Sequence, residues 1–154
     1  MVIYEAGLLF RDQSILKSVY IQKSAVEIYQ IIRNELVLSL LNLVEEAFIT
    51  DFIDYLGGKN YIIAFIEEKI IAKDTNKPEL LIAYCIVNNK KKIDKYIKKV
   101  AVPLLRKTIE RFKMQFKLVN ISDLSQLSSF KKDLDDILGD ETKTIDQKLR
   151  DQLF

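Results

Sequence analysis

With 154 residues, a mass of 17.9 kDa, 49% apolar and 30% charged residues and a formal net charge of +2, the chain holds enough core material for one domain, which excludes disorder over most of its length. There is no histidine and only one cysteine, Cys85, which excludes Ser-His and Cys-His dyads, intramolecular disulfides and multi-thiolate zinc sites. The opening residues MVIYEAGLLFRD carry Glu5 and no positive stretch, so they do not read as a secretory signal, and the most apolar run, Leu36 to Phe48, is broken by Asn42, Glu45 and Glu46. The expectation is a soluble protein in a reduced, cytoplasmic setting.

Residues 2–11 and 14–21 are β-branched and aromatic runs separated by Asp12-Gln13, which predicts an N-terminal hairpin. Ser24-Ala25-Val26-Glu27 matches the capping box, in which hydroxyl and carboxylate satisfy each other's free backbone N–H groups at a helix start. A long helix is predicted to follow, with Tyr29, Ile32, Leu36, Leu40, Leu43 and Ala47 as its apolar stripe and Ile28, Leu41, Val44 and Phe48 widening it. So wide a face predicts burial against a sheet.

Residues 51–56 read as a strand ended by Gly57-Gly58-Lys59-Asn60, where glycine supplies the positive φ a tight turn needs. A second strand begins at Tyr61 and can extend to Ile71. The turn signal Asp74-Thr75-Asn76-Lys77-Pro78 then leads into Leu80–Val87, apolar at every position and therefore predicted to be central and covered on both faces. Asn88 and Asn89 are candidate N-caps for the next helix, whose apolar face is predicted to run through Ile93, Ile97, Val100, Leu104, Thr108, Phe112 and Phe116. Pro103 removes one helical hydrogen bond and crowds the preceding turn, so a kink near Lys99 or a break is expected. Leu127, Phe130, Leu134, Ile137 and Leu138 predict a third, shorter amphipathic helix with Gly139 as its C-cap. Residues 139–154 read as a tail, with Ile145, Leu149 and Leu153 giving it a weak helical stripe that could dock.

The predicted order β-β-α-β-β-β-α-α over residues 1–138 resembles the longin fold, a profilin-like α/β (α+β) domain. GLLFRDQSILKSVYI is similar to the opening hairpin of longin domains, TDFIDYLGGKNYIIAFI to their third and fourth strands, and KKIDKYIKKVAVPLLRKTIERFK to their long penultimate helix. The related roadblock domain usually begins with a helix, whereas here a strand comes first. The resemblance implies a five-stranded antiparallel-type sheet of order 2-1-5-4-3 between one helix and two others, with residues 14–21 and 51–56 at its edges. It also implies non-enzymatic work in membrane traffic or small-GTPase regulation, through protein partners that could include a small GTPase or a second copy of the chain, with no cofactor.

The candidate sites each have a simpler alternative. Phe52, Ile53 and Tyr55 would make the second edge adhesive toward a partner strand, unless Asp51, Asp54 and the Gly-Gly turn guard it. Lys91, Lys95, Lys98 and Arg106 roughly share one face of an ideal helix and could meet an anionic membrane or an acidic partner, against the alternative of a merely solvated face. A net charge of +2 and no aromatics interleaved with these lysines argue against nucleic acid. Glu67-Glu68, Asp51/Asp54 and Asp133/Asp135/Asp136 lack the spacing of a calcium loop, the four glycines form no phosphate-binding loop, and Cys85 within IAYCIV reads as a buried small hydrophobe. The leading expectation is an interaction platform using an edge strand and the adjoining helix. The alternative is a small-molecule or peptide sensor with an apolar pocket between sheet and helix, and an enzyme built on carboxylates or the lone thiol ranks third.

Overall fold

The β-branched and aromatic runs form five strands: β1 (Ile3–Phe10), β2 (Gln13–Val19), β3 (Tyr55–Gly57), β4 (Tyr61–Ile71) and β5 (Pro78–Asn88). They build one sheet of order β2-β1-β5-β4-β3 with every pair antiparallel, the strand order that the resemblance implies. The computed structural model of the chain describes residues 2–10, 13–20, 26–46, 55–57, 59–71, 76–116, 127–143, 148–150 and 152, and of residues 26–28, 32 and 43–46 the backbone alone. The hairpin aspartate Asp12, the Ser24 end of the capping box, the strand portion 51–54 and part of the segment 122–138 lie outside the described residues.

Alternation along each strand sends side chains to opposite faces of the sheet and creates two cores. On one face Leu9, Ile63, Phe65, Ile82 and Ile86 meet Tyr29, Leu36 and Leu40 of α1 (Val26–Glu46). On the other, Ile3, Leu8, Phe10, Ile62, Leu81 and Val87 meet the later helices. Eight successive residues of β5, Leu81 to Asn88, are buried, as predicted for a strand covered on both sides. Two bulges adjust β1. Between Ile3 and Glu5 the pairing with β5 skips Tyr4, so Tyr4 joins the α1-side core although its neighbour Glu5 also points there; between Leu8 and Leu9 the pairing with β2 skips Ile15, and Ile15 and Leu16 are both buried in the opposite core.

The long penultimate segment is helical throughout, as α2 (Ile93–Tyr96), a π-helical stretch (Ile97–Ala101) and α3 (Val102–Gln115). The expected disturbance near Lys99 takes the form of that π stretch. Pro103 has no N–H to donate to the Lys99 carbonyl, and the Val102 N–H instead reaches back five residues to the Ile97 carbonyl. The extra residue rotates everything after it relative to an unbroken helix. The buried face therefore runs Ile97, Ala101, Leu105, Ile109 and Phe112, whereas Val100 and Leu104, predicted to lead it, are only half-buried. Thr108, also buried, donates its hydroxyl to the Leu104 carbonyl at 2.8 Å.

Asn88 and Asn89 are not helix caps. The helix starts after Lys92, which adopts φ 65° and makes no side-chain cap bond. Asn88 instead accepts the Val2 N–H at 3.0 Å, and Asn89 donates to the turn before β4. The amide side chains satisfy strand ends rather than the helix start, because the turn at Lys91-Lys92 intervenes. The last predicted helix is α4 (Phe130–Leu138), preceded by helical Leu127 and Ser128, with all five predicted core residues buried. Gly139 follows at φ 53°, the conformation that favours glycine after a helix end. α3 packs on β4 and β5, and α4 packs on α3 and β2. The sheet thus lies between α1 and the α2–α4 layer.

Candidate functional site

Of the predicted adhesive edge, Tyr55 is described, and Phe52 and Ile53 lie outside the described residues. Tyr55 is half-buried at the start of β3 and its hydroxyl donates to Asp94 in α2. That hydrogen bond, with some burial, raises the phenol's pKa above its usual value. Two more bonds lie at this end of the molecule: the Asn89 N–H to the Asn60 carbonyl at 2.8 Å, and the Asn89 amide to the Lys59 carbonyl at 3.3 Å. Edge strand β3, the turn after it and the start of the long helix therefore form one continuous surface.

The other edge is closed more firmly. Tyr20, just beyond β2, donates its hydroxyl to Asp135 on α4, and burial followed by that bond raises its pKa. Asp135 thus serves as an acceptor on an exposed helix face, and Asp133 accepts from Gln115 at 3.1 Å. Tyr96 donates to Glu141 at 2.8 Å, which draws the 3-10 turn Gly139–Thr142 back toward α2.

Lys91, Lys95, Lys98 and Arg106 are all exposed, but they do not share one site. Lys98 lies within the π stretch, and about 12 Å of helix separates it from Arg106. Arg106 lines a groove between β4 and α3 with Ile66, Glu67, Glu68, Glu110, Lys113 and Met114, of about 610 Å³. In it Lys113 pairs with Glu68 at 2.5 Å; one carboxylate oxygen of neighbouring Glu67 is buried with no hydrogen-bond partner among the described residues. Five of its seven lining residues are charged.

One constellation escaped the sequence reading. Glu5 is fully buried beneath α1, where its carboxylate accepts from the Tyr84 hydroxyl at 2.5 Å, the Tyr29 hydroxyl at 3.2 Å and the Arg33 Nε at 3.0 Å. Burial alone would depress the Arg33 guanidinium, but Glu5 beside it reverses that and holds its pKa above the ordinary value. The Tyr29 and Tyr84 phenols are raised by burial and then by the Glu5 charge. Gly7 makes the arrangement possible: a Cβ there would stand 2.4 Å from the Leu16 carbonyl oxygen and 3.0 Å from the Tyr84 ring. Tyr4, Tyr29 and Tyr61 stack edge-to-face alongside, with centroids 5.5 to 6.4 Å apart. The signal was present in the sequence, since Arg33 sits on the same helical stripe as Tyr29, Leu36 and Leu40, and Glu5 interrupts an apolar run. Chemically the cluster is closed: the carboxylate is buried and its donors come from within the fold.

Cys85 is buried in the core on the α3 side, where burial pushes its thiol up to about 12. Among the described residues no three carboxylates or thiols gather to hold a metal, and no helix is long and apolar enough to cross a membrane. No protein-family model, curated protein or solved structure matches the chain.

Proposed function

We propose that the protein is a non-enzymatic interaction platform of the longin type, working in the cytoplasm through an edge strand and the adjoining helix to bind a second copy or a protein partner such as a small GTPase. The observation that carries this reading is the junction at β3: a three-residue edge strand joined through Tyr55–Asp94 to the start of the long helix, so that strand edge and helix offer one surface. The strand order β2-β1-β5-β4-β3, with α1 on one face and the α2–α4 layer on the other, supports the longin resemblance. The inaccessible thiol and the closed Glu5 cluster favour a binding role over catalysis.

The test is size-exclusion chromatography with light scattering, on the protein alone and mixed with nucleotide-loaded Ras-type GTPases. A dimer or a co-eluting complex that weakens in Tyr55→Ala is the expected result. A monomer that ignores every GTPase would remove both the dimer and the GTPase from the reading.

A further inference from the structure

Positive charge is concentrated where the long helix begins. Lys90, Lys91, Lys92, Lys95, Lys98 and Lys99 are all exposed, and among the described residues none of their ammonium groups has an ion-pair partner. The single acid within the run, Asp94, is engaged by the Tyr55 hydroxyl. Lys59, also exposed, is brought to the same end because the turn containing it is bonded to Asn89. With six lysines and one aspartate, residues 90–99 carry +5, so against a chain total of +2 the remaining residues sum to −3. The charge is also polarised along the sheet: Tyr61 and Asn88 pair at the lysine end, whereas Glu68 pairs with Leu81 seven residues further along β4, about 23 Å away.

The chemistry of this pole narrows what it would meet. Ammonium groups are compact, strongly hydrated point charges without the planar fork that grips a single carboxylate or phosphate in fixed geometry. The nearby tyrosines Tyr55 and Tyr96 are partly buried against the core, with their hydroxyls bonded to Asp94 and Glu141, which disfavours them as a platform for stacking bases. The lysines are exposed, and none of them lines the β4–α3 groove described above. A set of unpaired lysines on an outward helix start matches an extended, laterally mobile sheet of negative headgroups.

We propose that this lysine pole docks the protein on an anionic lipid surface by headgroup charge, without insertion of apolar side chains. Arg106, set apart beyond the π stretch and facing the glutamates of the β4–α3 groove, is not part of it. The inference rests on exposed charge and stands or falls separately from the partner-binding reading.

The experiment is co-sedimentation of the full chain with vesicles of phosphatidylcholine alone or with about 30% phosphatidylserine, at low and at near-physiological salt. Binding is expected only to the anionic vesicles and should weaken steeply with salt. The triple variant Lys91→Glu/Lys95→Glu/Lys98→Glu should lower it at least about tenfold, and Arg106→Glu less than about twofold. Circular dichroism checks folding, and Lys90→Gln/Lys91→Gln/Lys92→Gln, placed before the helix, serves as a milder second variant expected to lose about fivefold or more. Equal binding to neutral vesicles, an unchanged affinity in both lysine variants, or tighter binding to polyglutamate or duplex DNA than to vesicles of equal charge would overturn the proposal.

Discussion

The two faces of the sheet are buried by opposite means. On the α3–α4 side the core is almost wholly apolar, closed by Phe112, Phe116 and Phe130 with ring centroids 4.9 to 6.3 Å apart. On the α1 side a carboxylate, a guanidinium and two phenols occupy the middle of the packing. The apolar face gains stability from area removed from water and tolerates small changes of angle. In the polar face each donor must meet Glu5, which specifies where Arg33, and with it α1, can lie over β1 and β5.

The strongest way to break this contrast is to strand the carboxylate. Arg33→Met should cost about 3–5 kcal/mol in urea unfolding, because an uncompensated charge remains buried. Glu5→Leu combined with Arg33→Met should recover most of that loss; a double variant as unstable as the single would mean that desolvation is not what the pairing offsets. Phe112→Ala on the opposite face should also cost about 3–5 kcal/mol, but with no second substitution among its neighbours that restores it.

Gly7→Ala comes next, at about 1–3 kcal/mol, since the added methyl must displace the Leu16 carbonyl or lift Tyr84 from Glu5. Alkali sharpens the comparison further. Cys85 and the two phenols are acids held neutral in the fold, so above their unfolded pKa values the unfolded chain binds fewer protons and stability falls as pH rises. The Cys85 contribution to that loss should begin near pH 9 and continue toward about 12, and that of Tyr29 and Tyr84 should begin near pH 10. Cys85→Ala should therefore remove the earlier part of the decline and leave the later part, as followed by thermal unfolding across that range. The smallest effect is expected from Tyr55→Phe, below about 0.5 kcal/mol, because its bond to Asp94 lies at the exposed end of the sheet.

Strands were legible because Val, Ile and aromatic runs bounded by turn residues have few alternatives, and the uninterrupted Leu80–Val87 run announced the centre of the sheet. The α4 core was legible for a similar reason, as five apolar residues at helical spacing leave one face to bury. The Glu5 cluster was not, because charge in a sequence reads as exposure until a partner is placed beside it, and Arg33 is 28 residues from Glu5. The lysine surface was half legible: Lys91, Lys95 and Lys98 are close in sequence, but Lys59 enters only through the turn before β4, and Arg106 lies further along the helix beside the glutamates of the β4–α3 groove. Asn88 and Asn89 misled because an asparagine before a helical pattern serves a neighbouring strand as readily as the helix.

The π stretch at Ile97–Ala101 also bears on how this chain can change length. It is a one-residue excess marked by the bond from the Val102 N–H to the Ile97 carbonyl, with buried Ile97 at its start and buried Leu105, Ile109 and Phe112 after it. Loss of one residue there would let the segment relax to an ordinary α-helix with Leu105, Ile109 and Phe112 still in the core. The helix thus carries a spare residue, so a single deletion that would turn most buried helices out of phase could here be absorbed without rotation.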